Sequence, residues 1–392
     1  MSGLVVKPRA RIFHGHDWVY GADVQKIFGT PEPGSIVSLK DFRDRPLGTA
    51  IYNPQSQIVA RRFSRHKEDL DLPFFVRRLQ RAWSRRERMT SLDPALCRVV
   101  WSESDGLPGV VLDRYGPHFV LQTLTLAMDQ RKTLLTQAIV DVFQAESVTE
   151  RNDSPIRLAE GMELITGTLH GTAPGPFRVN TGHGSFLIDL MGGQKTGIYL
   201  DQLDNYRDAA ARAPGKRVLD CFCNQGGFAL ACAKAGATHV TAVDSSESAI
   251  ATARANAEAM GLADKIEFIC ANVFDFLKAQ ETAGTTWDYI ILDPPSFTRS
   301  KKSLGDAMRG YKEIHLRSMK LLPNGGLLST WCCSHHVSTG DFRDIIHEAA
   351  VDAKKTLCQL AFHHQRPDHP ILTGVPESEY LRGFSYELLA AF

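Results

Sequence analysis

Several things are scarce in this 392-residue chain. It has no run of about 18 apolar residues, so no transmembrane helix is expected. The opening MSGLVVKPRARIFHG lacks the charged start, apolar run and small-residue cleavage site of a signal peptide. Cysteine is thin, with 8 residues. That is too few for a disulfide scaffold in so long a chain, and free thiols in a reducing cytoplasm are expected. Internal repeats and low-complexity segments are missing. What is present is ordinary globular composition, 43% hydrophobic and 23% charged, with room for two or three domains.

The formal net charge of +1 conceals an asymmetry. Residues 1–90 carry 17 Lys and Arg against 9 Asp and Glu, a net of +8, and the remainder is −7. A basic module on an acidic body suits a polyanionic partner, although a solvated helix face would look the same. Residues 34–40 alternate apolar and polar, as a half-buried strand does, and residues 47–52 and 57–63 read as further strands. Residues 66–90 predict a basic helix. Phe74, Phe75, Leu79, Ala82 and Trp83 share one face, and Arg77, Arg78, Arg81, Arg85, Arg86 and Arg88 occupy much of the other. Residues 98–180 then mix short strands with one helix, over 129–143.

From about residue 214 strands and helices alternate, which predicts a doubly wound parallel sheet. The motifs that carry chemistry fall at its strand ends. Asp220-Cys-Phe-Cys-Asn-Gln-Gly-Gly-Phe228 joins a strand to a helix, and Gly226 and Gly227 allow a ligand close to the backbone. A tight turn alone would use the same residues. Asp244, closing the next strand, suits the two hydroxyls of an adenosine ribose. Asp293-Pro-Pro-Ser-Phe297 makes a stiff ledge after the fourth strand, where a carboxylate can hydrogen-bond a planar base. Thr330-Trp-Cys-Cys-Ser-His335 places two cysteines at a strand end, and alternation sends only one of them toward the crevice. A nucleophile and a buried core thiol both fit there. Cys221, Cys223, Cys332 and Cys333 lack zinc-type spacing, so no metal is expected.

Together these residues resemble class I S-adenosylmethionine (SAM) dependent methyltransferases. Within that class the chain resembles the bacterial large-subunit ribosomal RNA cytosine-5 methyltransferase family, whose members carry an N-terminal PUA domain. Gly48-Thr-Ala-Ile-Tyr-Asn-Pro-Gln-Ser56 resembles the PUA signature. Glu103-Ser-Asp-Gly-Leu-Pro-Gly109 with Asp113-Arg-Tyr115 resembles the entry to the middle domain, and Gly193-Gln-Lys-Thr-Gly-Ile-Tyr-Leu-Asp-Gln202 an upstream cofactor motif. The resemblance implies an α/β fold in three parts: a β-barrel PUA-like RNA-binding domain over 1–72, a small α+β middle domain with the basic helix over 73–180, and a Rossmann-like methyltransferase domain over 181–392. It implies Cys333 as nucleophile and Asp293 as the acid that holds the cytosine. It assigns Lys195, Gln202, Asp220, Gly226, Asp244, Asn272 and Asp293 to SAM. Asn272 stands where the family often has Asp, and Ser296 where many members have Lys.

The implied reaction explains the cysteine. Carbon 5 of cytosine is a weak nucleophile, and a thiolate added at carbon 6 makes it an enamine carbon. The target base must be unstacked or single-stranded. Expected partners are ribosomal RNA, contacted by Arg77, Arg78, Arg81 and Arg85, and a second copy in a homodimer. No membrane partner is expected, and the expected compartment is the cytoplasm. Methylation of another base or RNA, and a non-catalytic SAM-binding assembly factor, are the alternatives.

Overall fold

A computed structural model describes residues 2–192, 197–298 and 303–390. The chain divides into two compact units. One takes the first 177 residues together with Pro367–Ser378, and the other is built on Asp201–Arg366 and the strand that follows Glu379.

The first unit opens with six strands: Gly3–Val6 (β1), Trp18–Val19 (β2), Val24–Phe28 (β3), Ile36–Asp41 (β4), Pro46–Tyr52 (β5) and Ala60–Ser64 (β6). They form one sheet in the order β2-β6-β5-β4-β1-β3. The alternation expected over 34–40 buries Val37 and Leu39 in the cluster of Leu4, Val6, Val19 and Ala50. The strand expected from residue 57 begins later, at Ala60, because Asn53 and Ser56 turn the chain first. The basic helix also begins later than residue 66, as Leu72–Glu87 (α1). Asp71 caps it by accepting from the Phe74 amide at 2.8 Å, and Pro73 sits in its first turn. Phe74, Phe75, Leu79 and Ala82 are buried, as the periodicity requires. Arg86 departs from the expected outer face. It is fully buried and grips both oxygens of Asp105, at 2.6 and 2.8 Å.

A second sheet follows, in the order β11-β10-β9-β8-β7. Its strands are Leu96–Trp101 (β7), Val110–Tyr115 (β8), His118–Thr123 (β9), Ser147–Asn152 (β10) and Ile165–Gly171 (β11). Leu126–Asp129 (α2), Lys132–Phe143 (α3) and Ile156–Ala159 (α4) lie between them. The two sheets of this unit are stitched together by ions. Glu160 accepts from Asn53 and Ser56, and Glu103 accepts from Arg61 and the Trp18 indole. The stretches containing Asn53, Ser56 and Glu103 therefore hold one layer against the other.

Phe177–Asn180 (β12) and Ser185–Ile188 (β13) pair as a hairpin. The second unit contains Leu203–Ala210 (α5), Arg217–Cys221 (β14), Gly227–Lys234 (α6), His239–Asp244 (β15), Glu247–Ala259 (α7), Ile266–Cys270 (β16), Val273–Ala283 (α8), Tyr289–Leu292 (β17), Leu304–Lys320 (α9), Leu327–Cys332 (β18), Thr339–Asp352 (α10), Lys355–His364 (β19) and Arg382–Ala390 (β20). The sheet runs β16-β15-β14-β17-β18-β20-β19, with β16 to β18 parallel and β20 antiparallel to both β18 and β19. Chain order reverses between β14 and β17. That switch point is where an open α/β sheet leaves a crevice for a ligand.

Candidate active site and basic cleft

Five expected site residues stand at the carboxyl edge of five adjacent strands: Asn272 after β16, Asp244 ending β15, Asp220 in β14, Asp293 after β17 and Cys333 after β18. The hinge of the site is the loop of residues 221–226. Phe222 and Asn224 adopt positive φ angles of 64° and 46°, unusual for residues with side chains. Gly226 closes the loop at φ 84° and begins α6. A Cβ on Gly226 would approach the Ala253 Cβ to 3.3 Å, and one on Gly227 would strike the Tyr206 ring at 2.3 Å. Gly227 is required by the close packing of α6 against α5, and Gly226 by its left-handed φ with α7 close by.

Asp220 is fully buried. One carboxylate oxygen accepts from the Ala229 amide at 2.9 Å, and Oδ1 has no hydrogen-bond partner among the described residues. Burial pushes this carboxyl well above the usual range, and the negative charges of Asp293 and Asp244 push it further. Gln225 Oε1 is a second buried acceptor without a partner among the described residues. Two orphan acceptors beside a glycine turn fit a cationic, donor-bearing ligand such as the ammonium end of SAM. Asp244 accepts from the Asn224 and Ser246 amides, both at 2.9 Å, one on each oxygen. Each oxygen keeps a lone pair for a ribose hydroxyl. Asn272 caps α8 through Oδ1, which accepts from the Phe274 amide at 2.9 Å, and its amide nitrogen stays available at the strand end.

Gln202 is buried and spends its two polar atoms within the site. Its Nε2 donates to Asp293 Oδ2 at 3.0 Å, and its Oε1 accepts from Asn205 at 2.6 Å. Asn205, which sequence reasoning missed, thereby sets which way the Gln202 amide faces. Lys195, expected on the cofactor, lies outside the described residues.

The two cysteines diverge. Cys332 is fully buried, its thiol lies 3.4 Å from the Tyr311 hydroxyl, and burial pushes it up toward the protonated form. Cys333 is half-buried and lies 3.8 Å from the Pro294 carbonyl, directly against the ledge that carries Asp293. Arg382, also missed by the sequence, donates to the carbonyls of Ser334 and Val337 and so anchors the turn after Cys333. All eight cysteines are free, and burial raises Cys221, Cys223 and Cys232 as well. Among the described residues, no three metal-ligating side chains gather.

In the first unit, Arg77, Arg78, Arg81 and Arg85 line one cleft of about 730 Å³. Arg77 and Arg78 each reach Glu68 at 3.3 Å, and Arg85 reaches Asp105 at 3.0 Å. Arg81 makes no ion pair among the described residues. No helix among those residues is long and apolar enough to cross a membrane.

Residues 5–65 match the model of the PUA-like domain, and residues 173–374 match that of the S-adenosylmethionine-dependent methyltransferase. Ribosomal RNA large subunit methyltransferase I of Vibrio vulnificus is 37% identical over 391 residues, covering 98% of each chain. The protein of the same name from Photobacterium profundum is 39% identical over 375 residues, 94% of each chain. A protein solved in complex with SAH superposes with a TM-score of 0.86 at 24% identity, over 99% of this chain and 100% of that one, a likeness of fold. With the strand-end crevice and its orphan acceptors in place, this near full-length identity makes the chain a SAM-dependent methyltransferase with a PUA-like domain, a member of the ribosomal RNA large subunit methyltransferase I family.

Proposed function

We propose that the protein methylates carbon 5 of a cytosine in large-subunit ribosomal RNA, through a covalent adduct of Cys333 at carbon 6. The observation that carries this reading is the pairing of a half-buried thiol with the Asp293 ledge, while the neighbouring thiol is spent on Tyr311. Methylation of an amino group would need no such thiol. SAM supplies an electrophilic methyl group when bound. Asp220, Gly226, Asp244 and Asn272 are assigned to hold it, Lys195 to close over it, and Gln202 to orient Asp293. The Cys333 thiolate adds to carbon 6, and Asp293 holds the base at N3 or the exocyclic amine as charge arrives there. Carbon 5 takes the methyl group, its proton leaves to a base, and the thiolate is expelled.

The domain division over 1–72, 73–180 and 181–392 belongs to this reading. So do a cytoplasmic site of action, a homodimer, and RNA contacts from Arg77, Arg78, Arg81 and Arg85. Sedimentation at micromolar concentration tests the homodimer, and a monomer there removes it. The reaction is tested with large-subunit RNA containing 5-fluorocytosine. Fluorine blocks loss from carbon 5, so the adduct is expected to survive a denaturing gel. An adduct on Cys333→Ala, or none on an active wild type, overturns the mechanism. Methyl transfer to a different base would do the same.

A further inference from the structure

The basic cleft of the first unit has an internal occupant. Six arginines line it: Arg62, Arg65, Arg77, Arg78, Arg81 and Arg85. Four carboxylates stand among them, but three are already committed. Asp17 is bound by Arg62 at 2.7 Å, Glu103 by Arg61 at 2.9 Å, and Asp105 by the buried Arg86 at 2.6 Å, with Arg85 sharing the last. Glu68 alone faces the rest. It touches Arg77 and Arg78 with one contact each, both at 3.3 Å, longer than a well-formed charge-assisted bond. Arg65 and Arg81 are exposed and make no ion pair among the described residues.

The spacing points to a chain of charges. Arg77, Arg81 and Arg85 lie four residues apart on α1, on one face, each step rising about 6 Å. Such a row follows a backbone of successive phosphates. At about 730 Å³ the cleft is far larger than one phosphate needs. Arginine presents a planar fork of donors that suits phosphate oxygens in pairs. Crowding is visible too: burial lowers the Arg78 guanidinium's affinity for its proton, and its neighbours Arg81 and Arg77 lower it further.

We infer that this cleft seats a stretch of RNA phosphodiester backbone, and that the Glu68 carboxylate is a stand-in for phosphate which the RNA displaces from Arg77 and Arg78. The inference rests on the ribosomal RNA reading and adds to it the place of contact and its internal competitor. Glu68 sits on the exposed loop between β6 and α1 and is itself only partly covered, so it can swing out without unpacking the core.

The test compares full-length wild type, Glu68→Gln and Arg81→Ala for binding to unmodified large-subunit ribosomal RNA made by transcription, over a range of salt. For a single strand the slope of log affinity against log salt changes by about 0.7 per phosphate contact. Glu68→Gln removes the competitor. It is expected to bind at least threefold more tightly at low salt, with a slope steeper by about 0.7. Arg81→Ala is expected to bind more weakly, with a slope shallower by about the same amount. If Glu68→Gln binds equally or less tightly, Glu68 merely holds the two arginines in place and the inference is overturned. Competition by polyglutamate as strong as by the RNA, at equal charge, overturns the assignment to phosphate. Methyl transfer by the wild type to the same RNA is measured in parallel. Its absence defeats the underlying reading, whereas transfer with unchanged Glu68→Gln binding defeats only the inference.

Discussion

Truncating the two adjacent cysteines should separate stability from chemistry. Cys332 has no exposed surface and its thiol meets the Tyr311 hydroxyl at 3.4 Å. Tyr311 is itself fully buried, with its ring centred 4.7 Å from that of Phe297. Cys332→Ala removes one heavy atom from a packed core and takes away the tyrosine's neighbour. We predict a loss of about 1–3 kcal/mol of stability, the cost of a small cavity and of one lost contact to the tyrosine hydroxyl. Methyl transfer by the remaining folded protein should persist. Cys333 is half-buried beside the ledge, so Cys333→Ala should cost less than Cys332→Ala, under about 1 kcal/mol. Methyl transfer should nevertheless vanish, with SAM affinity unchanged, because no cofactor contact is asked of that thiol. Urea unfolding reads the stabilities, tritiated methyl transfer to unmodified large-subunit RNA the activity, and calorimetry the SAM affinity. Retained activity in Cys333→Ala, or a Cys332→Ala protein that is stable but inactive, would refute the assignment.

Three further outcomes are expected. Gln202→Leu should lower kcat by about 5- to 150-fold, the equivalent of 1–3 kcal/mol, by freeing Asp293 from its donor; an unchanged kcat rejects that positioning role. Gly226→Ala should destabilise by about 1–2 kcal/mol through its left-handed φ of 84° and should weaken SAM binding as the loop shifts. Gly215→Ala, at φ 73° with nothing within 4 Å, should show the strain alone, and equal SAM affinities in the two variants would sever the Gly226 turn from the cofactor. His315 is buried between the Tyr311 carbonyl and the Thr330 hydroxyl, and burial pushes its pKa down from 6.5 to about 4. The unfolded chain therefore takes up a proton first as pH falls, so stability is full above 6.5 and declines toward 4. The loss should reach about 2 kcal/mol at pH 5. His315→Gln should flatten that part of the profile in urea titrations at pH 7 and 5, and an identical slope would count against it.

Composition and periodicity alone determined much of this protein. The alternating apolar residues of β4, β15, β16 and β18 locate strands because one-residue alternation or a short apolar run leaves few other ways to bury a backbone. Strand-end acids and glycines marked the crevice because a doubly wound sheet carries its ligand there whatever the chemistry. Tertiary structure decided the rest. β10 reads Ser-Val-Thr-Glu-Arg-Asn and every residue is buried, a strand no hydrophobic pattern reveals, since its Glu150 is met by Lys132 and its Arg151 by the Leu190 carbonyl as well as by neighbours in sequence. Arg86 looked like a surface charge until Asp105 met it from another element. Gln202 and Asn205 are three residues apart, yet their purpose appears only when β17 brings Asp293 within 3.0 Å. The choice between Cys332 and Cys333 follows the same rule. Alternation says that the two face opposite ways, but only the tertiary structure sets the Cys332 thiol on the Tyr311 hydroxyl and the Cys333 thiol against the Asp293 ledge. Local pattern encodes which atoms are apolar. Partners for buried polar atoms come from distant parts of the chain, and those the fold alone supplies.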